Sequence, residues 1–96
     1  MSTNGTRVFI PTPLRIYAGN ASAVNVAGAT VGEALSNLVA QHPQLKNHLY
    51  DEQGRLRAFV NVFRNDEDIR HLDREATPLS ERDELSIVPS IAGGAS

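Results

Sequence analysis

Thr30-Val31-Gly32-Glu33-Ala34-Leu35-Ser36-Asn37-Leu38-Val39-Ala40-Gln41-His42-Pro43 is the stretch from which the rest of the chain takes its meaning. Val31, Ala34, Leu35, Leu38 and Val39 recur at the spacing that lines one side of an α-helix, giving a single apolar stripe. Thr30 offers a hydroxyl at the N-cap, and Glu33 three residues on completes a capping box. Pro43 pushes His42 out of the α region and ends the helix. A helix with one apolar face needs a second layer to cover it, and the flanking segments supply strands.

Upstream, Arg7-Val8-Phe9-Ile10 reads as a strand stopped by Pro11-Thr12-Pro13. Gly19-Asn20 is a turn signal, and Ala23-Val24-Asn25-Val26-Ala27 alternates as a second strand. These two are expected to form an antiparallel hairpin with a long, proline-containing connection. Downstream of the helix, residues 43–50 add a short turn with Leu45 and Leu49 facing in, and Asp51-Glu52-Gln53-Gly54 is a loop. Ala58-Phe59-Val60-Asn61-Val62-Phe63 is rich in β-branched and aromatic residues and predicts a strand. Arg64-Asn65-Asp66-Glu67-Asp68 turns the chain, and Ile69-Arg70 suggests a short strand. Residues 72–83 are polar and irregular, with Pro78-Leu79 anchoring them to the core. Leu85-Ser86-Ile87-Val88-Pro89 is the last strand. The pattern is ββαββ, an α+β fold in which one main helix packs across a mixed sheet. It divides the chain into a flexible leader (1–6), a folded domain (7–90) and a flexible C-terminal tail (91–96).

Composition limits what such a chain can do. Its 96 residues suffice for one domain, with 41% hydrophobic and 21% charged residues and a net charge of −2. Lys46 is the only lysine and the eight arginines are scattered, so no basic stripe points to nucleic acid. The absence of cysteine excludes disulfides, thiolate metal sites and a cysteine nucleophile. The polar first residues do not form a secretory signal, and no apolar run approaches the ~20 residues that span a bilayer. A cytoplasmic protein with no membrane partner is expected. His42, His48 and His71 lack the spacing of a zinc site and are expected to be solvated or capping residues. Asp66-Glu67-Asp68 lacks the spaced ligands and glycine of a calcium loop. With no nucleophile–base pair and no phosphate-cradling loop, the chain is not expected to be an enzyme, nor to bind a cofactor or metal.

The period of two along each strand assigns the faces of the sheet. With Val60 and Val62 toward the helix, Phe59, Asn61 and Phe63 point away. Val8 and Ile10 face in and Phe9 out; Leu85 and Ile87 face in and Val88 out. Phe9, Phe59, Phe63 and Val88 would then form an exposed apolar patch, the mark of a partner-docking surface. Two alternatives stand beside it: the tail or a loop covers the patch, or the register is reversed and Phe59 is core.

The order of elements, together with Ile91-Ala92-Gly93-Gly94 after the last strand, resembles the β-grasp, ubiquitin-like sulfur carriers of the MoaD/ThiS family. The resemblance runs from about Val8 to Gly94. Ile10-Pro11-Thr12-Pro13-Leu14-Arg15, Phe59-Val60-Asn61-Val62, Asn65-Asp66-Glu67-Asp68-Ile69-Arg70 and Leu85-Ser86-Ile87-Val88-Pro89 are similar to its cysteine-biosynthesis (CysO) branch. The resemblance implies that the Gly94 carboxylate is adenylated by an E1-like enzyme using ATP. Sulfur then displaces AMP, and the resulting thiocarboxylate feeds a biosynthetic enzyme; in the cysteine branch the acceptor is an activated serine. Ile91, Ala92 and Gly93 would thread the tail into partner active sites, where glycine lets the backbone lie close to channel walls. Two other functions share these features: a protein modifier conjugated to lysines through Gly94, and the small subunit of molybdopterin synthase.

The chain departs from that pattern by running on through Ala95-Ser96, which locks Gly94 in a peptide bond. Three readings are open. The pair is a cap removed by proteolysis between Gly94 and Ala95, by a JAMM-type metallopeptidase of the kind the resemblance implies. It is an expression scar. Or the chain is no carrier and ends in an idle tail.

Overall fold

Alternating apolar and polar residues build a five-stranded sheet, seen here in a computed structural model that describes residues 5–80 and 82–89. The strands are β1 (Thr6–Phe9), β2 (Ala23–Val26), β3 (Val60–Arg64), β4 (Glu67–Asp68) and β5 (Glu84–Pro89). Their spatial order is β2-β1-β5-β3-β4. β1 pairs antiparallel with β2 and parallel with β5, while β3 pairs antiparallel with both β5 and β4. The sheet is therefore mixed, as expected, with the last strand in its centre.

Helix α1 (Val31–Gln41) follows β2 and covers one face. Its N-terminus is capped on the side-chain and backbone levels. The Glu33 N–H donates to Thr30 Oγ1 at 3.2 Å, while Glu33 Oε1 accepts from the Ala29 N–H at 2.9 Å. The reciprocal half of the capping box thus falls one residue before the N-cap. The Val31 N–H, which has no partner within the helix, donates to the Thr77 carbonyl at 3.0 Å. Val31, Ala34, Leu35 and Leu38 are fully buried, and Val39 packs at the margin. Opposite them lie Val8, Ile10, Val26, Val60, Val62, Leu85 and Ile87. Burying a side chain of this size stabilises the fold by roughly 1.5–3 kcal/mol. The last turn of the layer comes from the short helix α2 (Lys46–Leu49) and the 3-10 turn Pro43–Leu45, which place Leu45 and Leu49 in the core as predicted. At Gly28 the chain passes so close to α1 that a Cβ would stand 2.6 Å from the Ala34 nitrogen.

Four local features differ from the sequence expectation. β1 takes in Thr6, which is buried and paired with Val26, one residue before the expected strand start at Arg7. The connection between the first strands is a 3-10 helix (Thr12–Ala18) that buries Leu14 and Ala18 and closes on Gly19 at φ 66°. Pro13 sits in its first turn, because its fixed φ suits the start of a helix as well as the end of a strand. Ile69-Arg70 is not a strand: β4 ends at Asp68, whose carboxylate accepts from the Arg70 N–H at 2.8 Å and turns the chain into a 3-10 turn, Ile69–His71. β3 begins at Val60, leaving Ala58 and Phe59 in the preceding turn. Leu79 is held as expected, its N–H donating to the Ala29 carbonyl at 2.9 Å. Among the described residues no helix is long and apolar enough to cross a membrane.

Candidate functional site

The face of the sheet that α1 leaves open is set by register. Phe9 and Phe63 both pair with Ser86, one from each side, so a small residue on β5 separates two aromatic rings. One pleat further along β5, Val88 pairs with Asn61. One pleat back, Glu84 pairs with Arg7. The open face thus changes along β5 from charged, through aromatic, to aliphatic in the direction of the chain's C-terminus. Phe9 is 37% exposed, Val88 44% and Phe59 48%, whereas Phe63 is half-buried between its neighbours. The predicted outward set is present on the surface, and the reversed register, with Phe59 in the core, is not adopted. Phe9 and Val88 are exposed on this face, and Phe59 is exposed in the turn that precedes β3. Ile16, 67% exposed on the 3-10 helix, is a further surface apolar residue that the sequence analysis passed over.

β5 is described as far as Pro89, which pairs with Val60. Ile91, Ala92, Gly93, Gly94 and Ala95 lie outside the described residues. The strand that precedes them is held by β1 over its first three residues, Glu84, Leu85 and Ser86, and by β3 from Leu85 to Pro89.

Electrostatics around the sheet ends is local. Asp83 accepts from the Ser80 N–H at 2.9 Å and from Asn65 Nδ2 at 3.0 Å, which hold its carboxyl below the usual carboxylate value. The Arg55 N–H does the same for Asp51, with help from the Gln53 N–H. Burial, and then the charge of Glu75, raise the Tyr50 phenol. His48 is not free in solvent: its ring stacks on Tyr17, centroids 4.1 Å apart. No group of three or more His, Cys, Asp or Glu among the described residues is placed to hold a metal. One feature escaped the sequence analysis. The arginines that look scattered along the chain converge in part, since Arg55, Arg57, Arg70 and Arg74 line one groove.

Comparison with known proteins bears on the same surface and the same tail. The ThiS family profile matches residues 8–94, from β1 to the second glycine. The chain belongs to the ThiS family. Among ThiS-family and ubiquitin-like relatives, the sulfur carrier protein CysO of Mycobacterium tuberculosis (strain ATCC 25618 / H37Rv) is 38% identical over 89 residues, spanning 91% of this chain and 96% of that protein. The CysO in the BexX/CysO complex of Amycolatopsis orientalis superposes with a TM-score of 0.83 at 37% identity, covering 93% and 99% of the two chains. Small archaeal modifier protein 1 of Haloferax volcanii superposes with a TM-score of 0.82 at 31% identity, covering 94% and 99%. The fold is therefore the ubiquitin-like β-grasp, and the ThiS-family match extends to Gly94 and stops short of Ala95-Ser96.

Proposed function

We propose that this chain is a sulfur carrier whose reacting group is the carboxylate of Gly94, exposed once Ala95-Ser96 has been removed. The observation that supports it most is the near full-length similarity to a protein named as a sulfur carrier, beside a ThiS-family match that runs through Gly93-Gly94. A carboxylate is a poor electrophile, so an E1-like enzyme first joins it to the α-phosphorus of ATP with release of pyrophosphate. A sulfur nucleophile then attacks the acyl carbon, AMP leaves with the C–O bonding pair, and a thiocarboxylate remains. That sulfur passes to a biosynthetic enzyme that makes cysteine or another sulfur-containing metabolite. The domain itself does no chemistry: it supplies a grip, and Phe9, Phe59, Phe63 and Val88 present that grip beside the strand that leads to the tail. A JAMM-type metallopeptidase fits the cleavage between Gly94 and Ala95.

Intact-protein mass spectrometry tests the reading. The chain is incubated with lysate of its native host, ATP and sulfide. Loss of Ala95-Ser96 followed by a mass gain equal to exchanging one oxygen for sulfur is the expected result. A chain built to end at Gly94 should load without the cleavage step, and one ending at Gly93 should fold but not load. Failure of the Gly94-terminated chain to gain sulfur would overturn the proposal. Similarity to small archaeal modifier protein 1 favours a second role, conjugation of Gly94 to lysines of other proteins. Isopeptide-linked adducts recovered from cells would be its signature.

A further inference from the structure

Arg55, Arg57, Arg70 and Arg74 line a groove of about 490 Å³, floored by Leu56, Val60, Val62 and Ile69. Glu75 is the one acidic residue on its wall. The protein as a whole carries a net charge of −2, so this concentration of positive charge is set against the overall balance. None of the four arginines is ion-paired with a carboxylate among the described residues. Asp51 attracts Arg55 and Arg57 from outside salt-bridge range, while its own carboxylate is held by the Gln53 and Arg55 backbone N–H groups. Two of the guanidinium groups are fixed in place. Arg57 Nε donates to the Asn47 carbonyl at 3.0 Å, and Arg70 donates to the carbonyls of Ala58 and Val60 at 2.8 and 3.2 Å. A guanidinium has five N–H donors, so each keeps donors for a ligand and loses little entropy on binding one.

We infer that this groove seats an acidic segment, rich in Asp or Glu, of the enzyme that receives the tail. The inference rests on the carrier function proposed above. Position supports it: Val60, in the groove floor, pairs with Pro89, the last described residue before the tail. Adjacent strands lie ~4.8 Å apart, so an enzyme that takes the tail reaches the groove in the same encounter. Val60 and Val62 project from β3 on the side opposite Phe63, so the groove and the aromatic face let a partner hold both sides of the sheet. Chemistry supports it too. Guanidinium forks match carboxylates in a bidentate way. These four come from separate stretches of chain, 55–57, 70 and 74, and so suit carboxylates spaced along a peptide better than one phosphate cluster. The groove wall also brings no glycine-rich turn to cradle phosphates.

The test uses a chain ending at Gly94, labelled with nitrogen-15, titrated with a hexaglutamate peptide. Saturable shifts are expected at the Nε–H signals of the four arginines, weakening as salt is raised to ~0.3 M, where screening is strong. Hexalysine should produce none. Arg55→Gln combined with Arg74→Gln should weaken peptide binding by ~2–30-fold, the range for two solvent-facing charge pairs. In the sulfur-loading assay the double variant should need more carrier for half-maximal loading yet reach the same plateau. Absence of arginine shifts, tighter binding of ATP than of the peptide, or unchanged half-saturation in the variant would each overturn the inference while leaving the carrier function standing. If neither the parent nor the variant loads sulfur, the carrier function fails, and the partner assigned here fails with it.

Discussion

Asn65 and Asp83 show how single side chains close the β-sheet at its far end. Asn65 adopts φ 58°, which asparagine tolerates better than most residues, and its side-chain oxygen accepts from the Glu84 N–H at 3.1 Å. Its amide donates to Asp83, whose other oxygen takes the Ser80 N–H. These bonds lower the Asp83 pKa below its ordinary 3.8, so the folded state favours the charged form. The sign follows. Stability from this carboxylate is present above pH 3.8 and disappears as pH falls through the lower folded-state value. Asp83→Asn should cost on the order of 0.5 kcal/mol at neutral pH, solvent screening included, and that difference should shrink in unfolding curves measured below pH 3.8. A difference that stays constant with pH would show that the contacts, not the charge, matter.

At the scale of elements, α1 is stabilised by both its cap and its stripe. Thr30→Ala removes the hydroxyl that receives the Glu33 N–H and should lower stability by ~1 kcal/mol in denaturant unfolding, with the slope unchanged. An effect near zero would mean that the Thr77 carbonyl, already bonded to the Val31 N–H, holds the helix start without it. The helix was legible because its signals are local: a stripe at 3.6-residue spacing, a capping pair and a terminating proline. The strand faces were legible for the same reason, since Val60 and Val62 reveal their orientation by alternation with Asn61 and Phe63. The 3-10 helix after Pro11 was not, because prolines that stop a strand also start a helical turn, and only the burial of Leu14 and Ala18 decides between them. The 3-10 turn at Ile69 was hidden because Ile69 is apolar in either conformation, and the deciding bond runs from Asp68. The arginine groove was beyond reach, since residues 55–57 and 70–74 meet only after β3 and β4 have paired.

For the whole molecule, the exposed apolar residues are separate from the buried core, which suits the docking role proposed for them. Phe9, Phe59 and Val88 spend much of their surface in solvent, so placing charge there leaves the buried layer beneath α1 intact. Phe59→Glu should therefore unfold cooperatively near the parent midpoint but slow sulfur loading severalfold. Loss of cooperative unfolding in this variant would mark Phe59 as structural. The chain's similarity to ThiS-family and archaeal modifier proteins extends across this surface and across the sheet order that creates it.

The strand that leads to the tail lies in the middle of the sheet, bonded to β1 on one side and β3 on the other. On the function proposed above, an enzyme that takes Gly94 pulls on the C-terminal end of β5. The load falls first on the ladder to β3, which runs from Leu85 to Pro89, and then on the ladder to β1 at Glu84, Leu85 and Ser86, whereas an edge strand would have one ladder alone. On that carrier function, this anchoring makes the domain a mechanical stop against a pull on its C-terminal end.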